Sequence, residues 1–308
     1  MGVVFHEHVD AAIAVALVVL GLGAGWLGAV VGIGGGVVIV PALVLGFGFD
    51  TKVAVASSLV AVVATSAAAG SAYAGAGQTN MRLALVLEVA TTIGGLVGGV
   101  VAVLIAGSFI DGIFAIVMLL TAALVFRGRK EGGASDEQEV AVSADEAGAV
   151  AVATLGARVG WEERGHLGGG YHDQLRGVVL TYRAVRLWIG WAVSFVAGLL
   201  SGLLGLGGGF LKVPAMHLGM RIPIKVAAAT SNFMIGVTAV ASLFVYFTRG
   251  YVMPFVAAPV ALGIAVGAYA GARSAQRVSG RTLGRILAGI LVVVAIQMGL
   301  KAAGIANV

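Results

Sequence analysis

The sequence has no cysteine, only five prolines and a charged fraction of 11% in 308 residues. The lack of cysteine excludes disulfide bonds, thiolate nucleophiles and cysteine-ligated metal centres. Soluble domains carry roughly 25% charged residues, so a water-soluble enzyme is not expected. The sequence also lacks an H-E-x-x-H zinc motif and the lysine and Ser/Thr that end a P-loop. We therefore predict no catalytic centre, no metal site, no cofactor and no ATP-driven pump within this chain.

Hydrophobic residues, in contrast, make up 59% of the chain, and 49 residues are glycine. Charges are concentrated in residues 127–186, which hold 8 of the 19 Lys/Arg and 9 of the 14 Asp/Glu. On both sides of this insert, apolar runs such as Ala11–Val31 are long enough to cross about 30 Å of hydrocarbon as helices. The sequence predicts an all-α polytopic membrane protein, and a first run that is retained as a span rather than removed as a signal peptide.

The two apolar blocks are related to each other. A shift of 173 positions aligns Gly25–Thr65 with Gly198–Thr238 without a gap, and both segments contain three consecutive glycines and, five residues later, a proline. Apolar composition alone would match scattered alanines and valines, not these residues in one register. We therefore predict two homologous transmembrane repeats, residues 1–126 and 187–308, joined by a cytoplasmic linker or small insert at 127–186.

Each repeat contains five apolar runs, and the run after the glycines is too short to span comfortably. It is expected to be a half-helix of a re-entrant hairpin, which gives about 8 to 10 membrane segments in total. Three or five crossings per repeat make the repeats inverted, whereas four crossings make them parallel. With an odd number, one side receives twelve basic residues and the other three.

This charge asymmetry predicts a multi-pass protein of the cytoplasmic (inner) membrane, with the insert in the cytoplasm and both termini outside. The net charge of +5 is therefore read as a topology signal, and nucleic acid is not an expected partner. Within the insert, EGGASDEQEV at 131–140 is typical of a linker. Residues 140–159 are predicted to form short strands or a surface helix, with a small regulatory domain as the alternative.

The repeated motif reads GIGGGVVIVPAL from Gly32 and GLGGGFLKVPAM from Gly205. Each helical glycine costs roughly 1 kcal/mol relative to alanine, so the helix breaks here. A short helix that restarts after the break directs its free N–H groups and its dipole towards anions. Close helix packing through small residues is the alternative role. The motif predicts substrate-binding glycines at Gly34, Gly35, Gly36, Gly207, Gly208 and Gly209.

A second repeated element, AVASSL from Ala54 and AAATSN from Ala227, places hydroxyls and one amide near the start of an apolar run. These groups are able to donate hydrogen bonds to an oxyanion without burying a fixed charge. Hydrogen bonds between helices, or to a carbonyl of the same helix, are the alternative. The candidates are Ser57, Ser58, Thr230, Ser231 and Asn232.

Intramembrane charge is sparse, so each ionisable residue is considered separately. Lys212 follows the second glycine cluster by three residues, and a buried cation is costly unless it lines a cavity or meets an anion. It is the leading candidate for recognition of substrate charge, with snorkelling to the interface as the alternative. Glu88 and His217 are candidates for proton coupling. An interfacial carboxylate is the alternative role for Glu88.

On these motifs the chain resembles the sulfite exporter TauE/SafE family. The segment GLLSGLLGLGGGFLKVPAMHLGMRIPIKVAAATSNFMIGVTAVAS, which begins at Gly198, is similar to the second-half signature of that family, and Gly25–Thr65 is similar to the first. The resemblance implies a secondary transporter that moves a small sulfur-containing anion, sulfite or an organosulfonate, outward by alternating access. The alternatives are a passive anion channel of the same fold and a membrane-embedded enzyme or scaffold.

Overall fold

The computed structural model describes residues 11–75, 77–131, 167–173, 178–274 and 280–302. The strands, helix or small domain expected at 140–159, and nearly all of the linker expected at 131–140, lie outside these ranges. All statements on structure below refer to the described residues.

The first half of the chain forms five helices. They are α1 (Ala11–Val31), α2 (Gly36–Pro41), which continues into a π-helical turn (Ala42–Gly46), α3 (Thr51–Gly75), α4 (Met81–Leu104) and α5 (Gly107–Glu131). Helix α1 ends where the glycine-rich segment begins, and α2 starts directly after a residue with positive φ, Gly35. The glycines therefore end one helix and allow a short one to restart, as the motif predicted.

The second half repeats this order. After a two-stranded antiparallel hairpin, β1 (Gly169–Asp173) with β2 (Val178–Tyr182), come α6 (Leu187–Leu204), α7 (Gly209–Pro214) with its π-helical turn (Ala215–Gly219), α8 (Ile224–Thr248), α9 (Pro254–Ser274) and α10 (Gly280–Ala302). Helices α7 and α8 begin and end 173 positions after α2 and α3. The shift of 173 positions that aligns the two sequence segments therefore also relates their helices.

Six helices within the described ranges are long and apolar enough to cross a membrane: α1, α3, α4, α6, α8 and α9. Helices α5 and α10 contribute shorter apolar stretches, Gly107–Ala122 and Val292–Ala302. The chain is therefore an all-α polytopic membrane protein, as its composition predicted.

The helices run between two ends of the bundle, which we name A and B. Lys52, at the start of α3, lies 5.5 Å from the ring centre of Tyr251, which follows α8, and its Nζ donates to the Val103 carbonyl at the end of α4, 3.0 Å away. These residues mark the A end. At the B end, the backbone N–H of Asn80, just before α4, donates to Thr230 Oγ1 near the start of α8. Helices α3 and α8 therefore run in opposite directions.

Helices α1 and α6 each pack in parallel against a helix of the other half. The backbones of α1 and α9 meet at Gly21 against Val260 and again at Gly271 against Trp26. Those of α4 and α6 meet closely at Gly98 against Leu199, and Trp191 Nε1 donates to the Val86 carbonyl. Small residues allow this close approach between membrane helices. Because α9 starts at A and α4 starts at B, α1 enters from A and α6 from B.

The two helices that flank each glycine break enter and leave the bundle at the same end. The π-helical turn after α2 finishes at Gly46, only five residues before α3 begins at the A end. Helices α1 and α2 thus form a re-entrant hairpin, and α6 and α7 form the corresponding hairpin from B. Helices α3, α4 and α5 in the first half, and α8, α9 and α10 in the second, then connect the two ends of the bundle. The two series of helices run in opposite directions, and their origin by duplication stays a prediction.

Basic residues are divided between the two ends as three crossings per half require. Lys52, Arg249 and Lys301 lie at the A end, whereas the B end has Arg82, Arg221, Lys225, Arg273 and the residues that flank the insert. Lys301 is placed at A by its ion pair with Asp111, 3.5 Å away at the start of α5.

The β-hairpin of the insert is attached to the B end. Asn80 Nδ2 donates to Tyr182 Oη at 3.1 Å and to the Leu167 carbonyl at 3.4 Å. Burial raises the pKa of the Tyr182 hydroxyl above its usual range, although the hydrogen bond with Asn80 opposes this shift. The two hydrogen bonds from Asn80 hold the hairpin to the loop before α4.

Candidate functional site

The two glycine breaks meet at the centre of the bundle. Gly34 and Gly207 both have positive φ, and both face Val62 and Ile235, which are fully buried near the midpoints of α3 and α8. A Cβ at Gly34 would lie 2.7 Å from Ile235 Cδ1, and one at Gly207 would lie 2.9 Å from Val62 Cγ1. Non-helical backbone thus lies at membrane depth, enclosed by protein, as such backbone requires.

The breaks also touch each other directly. A Cβ at Gly36 would overlap the carbonyl oxygen of Gly205, and a Cβ at Gly209 would overlap that of Gly32. Gly35 and Gly208, at the N-terminal caps of α2 and α7, have positive φ and face the backbone of α1 and α6. The centre is therefore closed in this conformation, and a side chain at any of these four glycines would collide with neighbouring backbone.

Two of the predicted hydroxyls hold the breaks together. Ser58 Oγ donates to the Gly205 carbonyl at 2.7 Å, and Ser231 Oγ donates to the Gly32 carbonyl at 3.0 Å. A serine hydroxyl has a single proton, so in this conformation neither donates to an anion. Each serine bonds to the break of the opposite half.

The other predicted polar residues have different surroundings. Thr230 Oγ1 accepts the Asn80 N–H at the B end, and Asn232 Nδ2 donates to the Ala29 and Ala228 carbonyls at 3.0 and 3.1 Å. Ser57 Oγ and Asn232 Oδ1 are buried without a described partner. Unpaired buried oxygens are uncommon and mark places where water or a ligand completes the hydrogen bonding.

The structure brings Lys212 and Glu88 together through a residue that the sequence analysis missed. Lys212 is 2% exposed, and its Nζ donates to Thr238 Oγ1 at 3.2 Å and lies 4.0 Å from Glu88 Oε2. Thr238 Oγ1 donates to Glu88 Oε1 at 2.7 Å. We name these three residues the Lys–Thr–Glu cluster. Thr238 is the last position of the internal alignment, where it matches Thr65, and that identity was the available signal.

The cluster has no equivalent in the other half. The positions that match Lys212 and Glu88 are Ile39 and Ala261, which carry no charge. Thr65, which matches Thr238, donates to the Gly34 and Ala61 carbonyls instead. The Lys–Thr–Glu cluster thus lies on the B side of the bundle centre and has no counterpart at the matching positions of the other half.

The hydrogen bonding of the cluster is incomplete. An ammonium has three donors, and the described residues supply Lys212 Nζ with one hydrogen-bond acceptor, the Thr238 hydroxyl. Glu88 Oε2 is buried without a hydrogen bond. The cluster has the capacity to bind a further polar species.

A crevice of about 600 Å³ approaches the cluster from the side of α3, α4 and α8. Its lining is mainly apolar and includes Ser66, Gly70, Gly236 and Thr92. Thr92 Oγ1 lies 3.4 Å from Glu88 Oε1, to which it donates. Thr92 thus both lines the crevice and contacts the Glu88 carboxylate.

His217, the other candidate for proton coupling, lies elsewhere. Its Nδ1 is 2.9 Å from the Ile222 carbonyl oxygen, so this nitrogen carries the proton and donates it. Among the described contacts none joins His217 to the Lys–Thr–Glu cluster. Its role in coupling stays a prediction without support from its position.

The chain is similar to known membrane transporters. A family model described as Sulfite exporter TauE/SafE matches residues 17–298. The chain is 45% identical over 64 residues to the Bacillus subtilis (strain 168) protein named Probable membrane transporter protein YunE, covering 21% of this chain and 23% of that protein. It is 44% identical over 59 residues to Sulfite exporter TauE/SafE family protein 5 of Arabidopsis thaliana, covering 19% and 13%. The alignments thus span less than a quarter of either relative. No solved structure is a significant match.

Proposed function

Because the chain belongs to the sulfite exporter TauE/SafE family, a family of membrane transporters, we propose that it moves sulfite or a small organosulfonate outward across the cytoplasmic membrane. The observation that carries the proposal is Lys212, a cation buried beside a broken membrane helix with donors to spare. Buried intramembrane charge is costly and marks a substrate or ion pathway. A small anion would supply hydrogen-bond acceptors that the ammonium lacks.

The mechanism we propose is alternating access around the glycine breaks. The bonds from Ser58 and Ser231 to the opposite breaks close the centre, and their rupture would let one half rock against the other. The freed serine hydroxyls would then be able to donate to the anion. An inside-negative potential of 100 mV supplies about 2.3 kcal/mol for each net negative charge exported, and nothing where a proton accompanies a monovalent anion.

A flux panel in proteoliposomes tests this function. Sulfite, sulfate, thiosulfate, taurine, sulfoacetate and methanesulfonate are loaded separately, and efflux is followed. We expect saturable flux of at least one sulfur-containing anion, accelerated by the same anion on the opposite side. Linear flux without such acceleration would identify a passive channel. Absence of flux for every anion would overturn the transport function and favour a scaffold or an enzyme.

We also propose that the B end faces the cytoplasm, because it has more basic residues. The chain has no cysteine, so single cysteines are introduced without background. In intact cells an impermeant thiol reagent should label Gly46→Cys, near the A end, and leave Ser135→Cys in the insert unlabelled until the cells are opened. A Cβ at Gly46 has nothing within 4 Å, so this variant should fold normally. Labelling of Ser135→Cys from outside would reverse the orientation.

A further inference from the structure

We propose that the Lys–Thr–Glu cluster makes anion binding depend on the uptake of one proton by Glu88, so that a monovalent anion and a proton cross together. The inference rests on the proposed transport function and adds the ion to which transport is coupled.

The first step is geometric. Glu88 Oε2 lies 4.0 Å from Lys212 Nζ, and Thr238 links Nζ to Oε1. An anion that binds the Lys212 ammonium therefore arrives beside the Glu88 carboxyl group. Two negative charges at this spacing, away from water, repel each other strongly. Protonation of Glu88 removes the repulsion and turns the carboxyl group into a hydrogen-bond donor.

The second step concerns net charge. The empty cluster is neutral whether the shared proton is on the lysine or on the glutamate. An anion bound to the lysine requires an ammonium, and the loaded cluster is neutral only if Glu88 is protonated as well. Relative to the empty cluster, one anion and one proton have been added. Both forms then avoid the cost of a net charge within the membrane.

The third step concerns the bridge. Thr238 has one hydroxyl proton, which it donates to Glu88 Oε1 while its oxygen accepts from Lys212. Once Glu88 carries a proton, the carboxyl O–H is able to donate to the Thr238 oxygen, and the threonine proton turns to the anion or to the Met234 carbonyl, 3.3 Å away. The hydroxyl is thus suited to both the empty and the loaded states.

Among the described residues, no third charged group acts on Glu88 and Lys212. Helix α6, which packs along α4, has no ionisable side chain, and Lys225 and Tyr246 of α8 lie near opposite ends of that helix. The other polar groups beside Glu88 are the hydroxyls of Thr91 and Thr92, while His217 bonds to a backbone carbonyl. Among the described residues, Lys212 is the charged partner of Glu88 and Glu88 that of Lys212.

The experiment uses proteoliposomes of the full chain with an internal pH indicator. Methanesulfonate is the probe because it is monovalent and does not bind protons near neutral pH. Efflux of methanesulfonate should raise the internal pH by one proton per anion, and its initial rate should change less than about twofold when a potassium diffusion potential is imposed. Above the pH at which Glu88 titrates, binding should weaken by about tenfold per pH unit.

Glu88→Gln keeps the shape of the protonated side chain but binds no proton. It should still bind the anion, but the pH above which binding weakens should differ from that of the parent, because Lys212 is then the group that gains a proton when the anion binds. Asp111→Asn is the matched control, since Asp111 is also a buried carboxylate but belongs to the pair with Lys301 at the A end. This variant should retain the coupling of the parent protein.

The outcomes separate the two proposals. Flux of any panel anion in the parent protein without proton movement, or an unchanged pH dependence in Glu88→Gln, overturns the coupling and leaves the transport function standing. Absence of flux for every anion overturns the transport function itself. If Glu88→Gln does not fold, the proton count in the parent protein decides the matter alone.

Discussion

Replacement of Lys212 by methionine is expected to abolish saturable anion flux. The ammonium is 2% exposed at the bundle centre, and its pseudo-equivalent Ile39 offers the anion no alternative positive charge. Methionine has similar length and keeps the apolar contacts of the lysine stem, so the lost group is the charge. Flux of methanesulfonate and binding to purified protein measure the effect. Parental binding with unchanged pH dependence would show that Lys212 has no part in recognition.

The same replacement should also reduce stability, because it leaves Glu88 without its ionic partner. Breaking a buried ion pair costs up to about 3–5 kcal/mol, whereas replacing both partners is often neutral. We therefore expect Lys212→Met to melt at a lower temperature than the parent, and Lys212→Met with Glu88→Gln to recover most of the loss. Neither protein should transport. The double variant thus separates loss of recognition from loss of folding.

Lys212→Arg tests whether charge alone is sufficient. A guanidinium is planar, larger and directs its donors in a fixed fork, whereas an ammonium is compact. Lys212 donates to a single hydroxyl in a fully enclosed position, so there is little room for the larger guanidinium group. We expect weak binding with a retained need for a proton at Glu88.

The helical architecture was accessible from the sequence because local physics determines it. Consecutive glycines end α1 and α6, and the 173-residue offset places the short helices and the long helices after them. The cluster was accessible only in part. Lys212 and Glu88 were singled out separately, but they lie 124 positions apart on α7 and α4, and their contact depends on how the two halves pack.

The roles of the hydroxyls were less predictable for a related reason. Ser58 and Ser231 were candidates for anion binding or for bonds between helices, and the sequence favoured neither. The structure shows bonds to the carbonyls of Gly205 and Gly32, which become visible only when the breaks of the two halves face each other. The same contact adds a steric requirement for glycine at Gly36 and Gly209, while substrate binding by these glycines stays a prediction.

This contact between the breaks leads to the prediction with the clearest steric basis. Gly36 and Gly209 have no positive φ, so alanine would suit their backbone, and only the neighbouring atoms oppose it. A Cβ at Gly36 would overlap the Gly205 carbonyl and lie 2.8 Å from Ser58 Oγ. A Cβ at Gly209 would overlap the Gly32 carbonyl and lie 3.0 Å from Ser231 Oγ. The nearest obstacle in each case is a backbone carbonyl, which cannot rotate aside as a side chain can.

Both Gly36→Ala and Gly209→Ala should therefore lose about 1–3 kcal/mol or more of stability, with a lower melting temperature in detergent. Gly23→Ala is the control, because Gly23 lies within α1 and a Cβ there has nothing within 4 Å. It should melt at or above the temperature of the parent, since alanine favours the helix. If Gly209→Ala melts and transports like the parent, the two breaks do not touch in the resting protein. The serine bonds across the centre would then not hold the closed state, and the anion would have to be released by a movement other than separation of the breaks.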